Sequence, residues 1–173
     1  MIRLGSFEVG SGSLIVSDPC YDHNVTAMIR GVIDQVLNGT WIGYVEKQDV
    51  RDWGEACSRL VACHASFDER KDDLHWMKCS FIVGVDSGQA GIFDIAKYRI
   101  PDVEGQDQAA SEDSEWYQTC CDITESAVEA GVMDGGVVSR TGMGDGAYGA
   151  YLAVNESNQV IGVKIIFIRC SEV

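Results

Sequence analysis

The chain has 173 residues, of which 46% are hydrophobic and 9% aromatic, and its formal net charge is −14 at pH 7. This composition is typical of a folded globular protein and excludes intrinsic disorder. The excess of acids argues against direct binding of nucleic acid, which requires Lys and Arg against the phosphates.

Two short strands are predicted first, over residues 2–8 and 12–17. Apolar residues then recur at helical spacing and predict a first helix over residues 24–37, which ends before Gly39. We expect this helix to pack against a strand within 160–168. Its packed positions would be Ile29, Val32, Ile33 and Val36.

Short strand-like runs follow within residues 40–100, and Ser87-Gly88 is typical of a hairpin turn. A second helix is predicted within 111–132, and three strands within 136–169. The apolar face of that helix would carry Trp116, Cys120, Ile123, Ala127 and Ala130. Because strands cluster instead of alternating with helices, we expect a single α+β domain: a largely antiparallel curved sheet or sandwich with two packed helices.

The seven cysteines are an odd number, and the first residues do not form a secretory signal. Both observations favour reduced thiols and a cytoplasmic location. The most apolar run, residues 160–168, is too short to cross a membrane and is interrupted by Lys164. We therefore expect no membrane partner.

The acids are concentrated in residues 102–134, which we call the acidic strip. No Lys or Arg lies between Arg99 and Arg140. The ten acids of the strip are Asp102, Glu104, Asp107, Glu112, Asp113, Glu115, Asp122, Glu125, Glu129 and Asp134. The strip is either a solvated surface or one that attracts a basic protein. We expect a loop over 102–114, because this segment is polar and poor in large apolar residues. In the second case the binding surface would include Asp102, Glu104, Asp107, Glu112, Asp113 and Glu115.

Residues 144–149, GDGAYG, match the G-x-G-x-x-G pattern of dinucleotide-binding turns. That turn requires a helix directly after it, where the N–H groups face a pyrophosphate. The sequence that follows predicts a strand, so we interpret the run as a glycine-bent hairpin. Tyr148 and Tyr151 beside it are candidate binding residues, since tyrosines give broad, rigid contact area.

Three stretches together resemble a bacterial and phage-associated family of uncharacterised function: SGSLIVSDPCY (11–21), GVDSGQAGIFD (84–94) and SRTGMGDGAYGAYLAVNESNQVIGVKIIF (139–167). Arg140-Thr141 stands where the family pattern more often has Ser-Gly. The resemblance implies a fold but no activity. The matching positions are Asp18, Pro19, Asp86, Gly88, Asp94, Gly144, Asp145, Gly146 and Tyr148.

Asp18, Asp86, Asp94 and Asp145 all lie at turns marked by glycine or proline. If the strand ends meet, these carboxylates would bind a divalent ion such as Mg²⁺ or Mn²⁺. The alternative is that each aspartate stabilises its own turn through hydrogen bonds to the backbone.

Two other chemistries have less support. Cys57, Cys63, His64, His75 and Cys79 include zinc-type ligands, but the C-x-x-C spacing is absent. Cys20 with His23 as base is a candidate nucleophile, although the neighbouring Asp18 and Asp22 would disfavour its thiolate.

The sequence therefore favours a non-enzymatic acidic binding or inhibitor protein without a cofactor. Its expected partner is a basic, nucleic-acid-binding host protein that it would engage as a mimic of DNA. This expectation rests on the resemblance, because the family it resembles is associated with phages and mobile elements. The alternative is a divalent-metal-dependent hydrolase that uses the four aspartates.

Overall fold

The structure is a computed structural model that describes residues 1–22, 30–51, 54–67, 74–100 and 114–169. These residues contain eleven strands and one helix. In chain order they are β1 (Ile2–Val9), β2 (Leu14–Ser17), β3 (Gly31–Ile33), β4 (Gly39–Asp49), β5 (Glu55–His64), β6 (Met77–Val85), β7 (Gln89–Asp94), α1 (Glu115–Thr124), β8 (Ala130–Met133), β9 (Gly136–Arg140), β10 (Gly146–Val154) and β11 (Val160–Ile166).

The strands form two sheets that pack face to face. The large sheet has the order β1-β4-β5-β11-β10-β6, and the small sheet has the order β3-β2-β7-β9-β8. Neighbouring strands within each sheet run antiparallel. The expectation of a mostly antiparallel, strand-rich fold is confirmed.

The described residues form three hydrophobic clusters, and alternation of side chains along β2 separates two of them. Leu14 and Val16 on β2 point between the sheets, where they join Trp41 and Leu60 of the large sheet. Ile15 points to the opposite face of the small sheet and packs beneath α1. A one-residue slip of β2 would exchange the two cores, so packing on both faces fixes its register.

Helix α1 covers the outer face of the small sheet. Its N-cap is Ser114, whose side chain accepts a hydrogen bond from the N–H of Tyr117. Trp116 is buried against Phe93 and Tyr98, with ring centroids 5.3 and 5.2 Å away. The predicted second helix is thus confirmed in a shorter form, because Ala127 lies beyond its end and Ala130 belongs to β8.

The predicted first helix is wrong wherever the structure describes it, which is from residue 30 onward. Gly31–Ile33 is strand β3, and Gln35 has a positive φ of 58°. Glycine inside a helix costs about 1 kcal/mol, and the β-branched Val32, Ile33 and Val36 favour strands. Val36 still reaches the predicted neighbour, because it forms a parallel bridge to Val160.

Two predicted hairpins are also corrected. Ser87-Gly88 connects β6 of the large sheet to β7 of the small sheet, and the glycine-rich run connects β9 of the small sheet to β10 of the large one. Both segments are therefore crossings between sheets. The three strands predicted within 136–169 are confirmed as β9, β10 and β11.

Two remaining predictions concern the loop over 102–114 and the membrane. The predicted loop over 102–114 lies outside them except for Ser114. Within them, no helix has the length and apolar character needed to span a membrane.

Adjacent residues on β3 test its strand geometry. Ile33 is 5% exposed and Val32 is 47% exposed. Ile33→Asp should lower the free energy of unfolding by roughly 3 kcal/mol or more, because it buries an unpaired charge. Val32→Asp should change it by less than about 0.5 kcal/mol. Urea unfolding measures both variants, and equal losses would contradict the strand.

Candidate functional site

Three chain segments meet at one end of the sandwich, and we call their meeting point the crossing junction. They are residues 18–21 after β2, residues 86–88 between β6 and β7, and residues 141–145 between β9 and β10. The N–H of Thr141 donates to the carbonyl of Gly88 at 3.0 Å, which joins the two crossings. Gly146 pairs with Val85 beside them. Segments distant in sequence therefore form one site.

The Asp18 carboxylate holds the first two segments together. Asp18 is fully buried. Its Oδ1 accepts from the Cys20 N–H at 2.8 Å and the Ser87 hydroxyl at 2.6 Å, and its Oδ2 accepts from the N–H groups of Asp86 and Ser87 at 2.8 Å each. A carboxylate offers about four lone-pair positions, so protein donors occupy all of them.

Tyr98 and Arg99, which the sequence analysis did not identify, bind the backbone carbonyls of the segment after β2. The Tyr98 hydroxyl lies 2.6 Å from the Tyr21 carbonyl and 3.0 Å from that of Asp18. Arg99 donates from Nη1 to the Pro19 carbonyl at 2.7 Å. Tyr98 and Arg99 are 1% and 4% exposed. Their only sequence signal is a Tyr-Arg pair at the end of an apolar run.

The four aspartates do not converge. Asp18 and Asp86 are neighbours, and Asp86 accepts a hydrogen bond from the Tyr21 hydroxyl at 2.7 Å. Asp94 lies at the other end of the β2–β7 pair, opposite Leu14, which is about 13 Å of strand away from Asp18. Asp145 is exposed beside Gly146 at the junction. No group of three potential metal ligands occurs among the described residues.

Asp94 has a structural task of its own at the opposite end of the sandwich. Its carboxylate accepts hydrogen bonds from the N–H groups of Gly10, Ser11 and Ala96. Burial alone would raise the pKa of Asp94, but these bonds and the Ser11 side chain together hold it below its ordinary value. Asp94 thus secures the crossing from β1 to β2.

Cys20 lacks the properties of a nucleophile. Burial, followed by the charge of Asp18, raises the pKa of the Cys20 thiol to about 12. At pH 7 such a thiol is a thiolate in only about one molecule in 10⁵. The proposed base His23 lies outside the described residues.

The zinc-type residues do not share a site either. Cys57, Cys63 and Cys79 are buried in strands. His64 is engaged locally, with Nδ1 2.7 Å from the Ser66 hydroxyl and Nε2 3.2 Å from the Asn38 carbonyl.

The glycine-rich run is followed by strand β10, so the helix required by a dinucleotide site is absent from this described segment. Gly144 has a φ of 88°, which glycine adopts without strain. A Cβ at Gly142 would lie 2.5 Å from the Cys57 carbonyl oxygen. Turn geometry and close packing therefore account for these two glycines.

The two candidate tyrosines point to opposite sides of the large sheet, because they lie three positions apart on β10. Tyr148 is 9% exposed; its hydroxyl donates to the Gly144 carbonyl, and its ring packs edge-on against Phe167. Burial leaves little of this ring for a partner. Tyr151 is half-buried on the outer face, with its ring 6.0 Å from the Lys164 ammonium.

Part of the acidic strip lies outside the described residues, namely Asp102, Glu104, Asp107, Glu112 and Asp113. Glu115, Asp122 and Glu125 are exposed on or directly after α1. The last two described acids are paired, Glu129 with Lys47 at 3.1 Å and Asp134 with Lys97 at 2.9 Å.

The fold and site define a two-sheet antiparallel sandwich with one helix in its described part, joined at its end by a buried aspartate. The family model described as Protein of unknown function (DUF4241) matches residues 7–165, so the chain belongs to this family. The match spans all three segments of the crossing junction. Comparison with curated proteins and with solved structures finds no match.

Asp18 and Asp86 are neighbours in space, and replacing each of them provides a matched test of the junction. Asp18→Asn replaces one acceptor oxygen with an NH₂ group that faces donors, which should lower the free energy of unfolding by about 1–3 kcal/mol. Asp86→Asn keeps an oxygen to accept from Tyr21 and should cost less than about 0.5 kcal/mol. Thermal and urea unfolding measure both variants; a mild Asp18→Asn would contradict the role assigned to Asp18.

Proposed function

We propose that the chain is a non-enzymatic binding protein that engages a basic protein surface through its acidic strip. The observation that carries this proposal is the one-sided charge of the strip, which has ten acids and no Lys or Arg. In the described part, α1 presents Glu115, Asp122 and Glu125 outward. A surface of one sign attracts a partner of the opposite sign and speeds its encounter.

The position of these acids on α1 supports a role other than helix stability. Glu115 in the first turn is favourable for the helix dipole, but Asp122 and the C-cap Glu125 lie at the C-terminal end, and the last turn has no base. An acid at that end opposes the dipole by about 0.3–1 kcal/mol. Asp122 also accepts a hydrogen bond from the Gln118 side chain at 2.9 Å. Both acids remain exposed and would attract a basic partner.

The partner class that fits best is a nucleic-acid-binding protein. Its binding surface is rich in Lys and Arg because it neutralises phosphates. An acidic strip offers carboxylates to the same side chains and would act as an inhibitor by mimicry of DNA.

The alternative, a hydrolase dependent on Mg²⁺ or Mn²⁺, has less support from the geometry. Such an enzyme needs several carboxylate oxygens free to face one ion. All lone-pair positions of Asp18 are occupied by protein donors. Asp94 is held at the opposite end of the sandwich.

Two triple variants with equal charge change test the strip. The strip variant carries Glu115→Gln, Asp122→Asn and Glu125→Gln, and the control carries Asp34→Asn, Asp49→Asn and Glu156→Gln at exposed positions elsewhere. Each removes three negative charges from a net charge of −14. The probe is a purified arginine-rich DNA-binding domain. Its association rate is measured at about 50 and about 300 mM NaCl, because surface charges are screened weakly at the lower salt and strongly at the higher salt.

We expect the strip variant to associate at least about threefold more slowly than the control at low salt, with the difference lost at high salt. Equal rates for the two variants would show that only the overall charge matters, and the proposal would fail.

A further inference from the structure

A cavity of about 290 Å³ lies beside the crossing junction. Its walls come from the start of β5, from Gly88, and from the loop Thr141–Gly144. Ala56, Cys57 and Met143 supply apolar surface, and Met143 is 56% exposed at the mouth. The cavity lies near the lower size limit of small-molecule sites, about 300 Å³.

Arg140 is the cation of this cavity. Its side chain is 60% exposed, and its Nη1 lies 3.5 Å from Glu129 Oε1, at the limit of a hydrogen bond. The other oxygen of Glu129 is bound at 3.1 Å by the Lys47 ammonium, whose side chain is only 13% exposed. Lys47 therefore balances the charge of Glu129, and among the described residues the guanidinium of Arg140 has no partner besides this Glu129 oxygen.

The neighbouring loop adds backbone donors. The turn Thr141–Gly144 is closed by the Gly144 N–H to the Thr141 carbonyl at 3.0 Å and by the Thr141 hydroxyl to the Gly144 carbonyl at 2.6 Å. The N–H groups of Gly142 and Met143 donate no hydrogen bond to any described residue. Consecutive backbone N–H groups in a turn are a common binding element for anions.

We propose that this cavity binds a carboxylate attached to a short apolar group, with Arg140 and the loop N–H groups on the carboxylate and Met143 over the apolar part. Arg matches a carboxylate with two parallel hydrogen bonds. Glu55 in the wall repels a doubly charged phosphate more strongly than a singly charged carboxylate. The site shares only Glu129 with the acidic strip and does not use the outer face of α1, so it does not rest on the function proposed for the strip.

The test is a titration of the ¹⁵N-labelled full chain with butyrate, followed by amide NMR, with butyramide as the uncharged control. We expect saturable shifts at Gly142, Met143 and Gly144 with butyrate alone and a Kd on the order of 1 mM. Arg140→Gln should weaken binding at least about tenfold, whereas Lys97→Gln, an exposed cation paired with Asp134, should leave it unchanged.

Two further ligands show whether the bound carboxylate is a peptide C-terminus or a small carboxylic acid. They are an N-acetylated tripeptide ending in Ala-Leu with a free carboxylate, and its amidated form. Tighter binding of the free peptide than of butyrate assigns the site to peptide C-termini, and equal or weaker binding assigns it to small carboxylic acids. Absence of shifts up to 50 mM butyrate, roughly fifty times the expected Kd, would overturn the proposal. Equal shifts with butyramide, or unchanged binding by a folded Arg140→Gln protein, would also overturn it.

Discussion

The buried carboxylate of Asp18 is the interaction on which the crossing junction depends. An ionised group inside a protein is costly unless its lone pairs are satisfied. Asp18 receives one N–H donor from Cys20 of its own loop and three donors from the β6–β7 crossing. The end of β2 and this crossing must therefore form together, because neither satisfies the carboxylate alone.

The two ends of the sandwich use the same physical solution. Chain segments that pass from one sheet to the other lose the ladder hydrogen bonds of the strands, so their N–H groups need other acceptors. Asp18 accepts from the crossing at residues 86–87, and Asp94 accepts from the crossing at residues 10–11. Because Asp18 and Asp94 each bind the N–H groups of a different crossing, they lie at opposite ends of the sandwich and do not form the metal-binding set considered from the sequence. It also leaves a site where Gly88, Gly142 and Arg140 border a small cavity.

The sequence predicted features that depend on local pattern and missed those that depend on distant contacts. Strand clustering predicted an antiparallel fold, and the apolar face around Trp116, with acids in the first turn, predicted α1. The apolar spacing around Ile33 predicted a helix, which is wrong because residues 31–33 pair with β2 as a strand. Turn residues at Ser87-Gly88 identified a turn, but not that its two strands belong to different sheets. Nor could sequence alone show that Tyr148 is buried, since its face is set by the register with β6.

Amide hydrogen exchange at Asp86 and Ser87 tests the central role of Asp18 most directly. Both residues lie in a turn, where amides ordinarily exchange rapidly, yet both N–H groups donate to the buried carboxylate at 2.8 Å. We expect both to be protected to nearly the same degree as the amide of Ala62, which is buried on β5 and pairs with strands on both sides, because they open only when the junction opens. Exchange at the rate of an unstructured peptide at these two positions would contradict it.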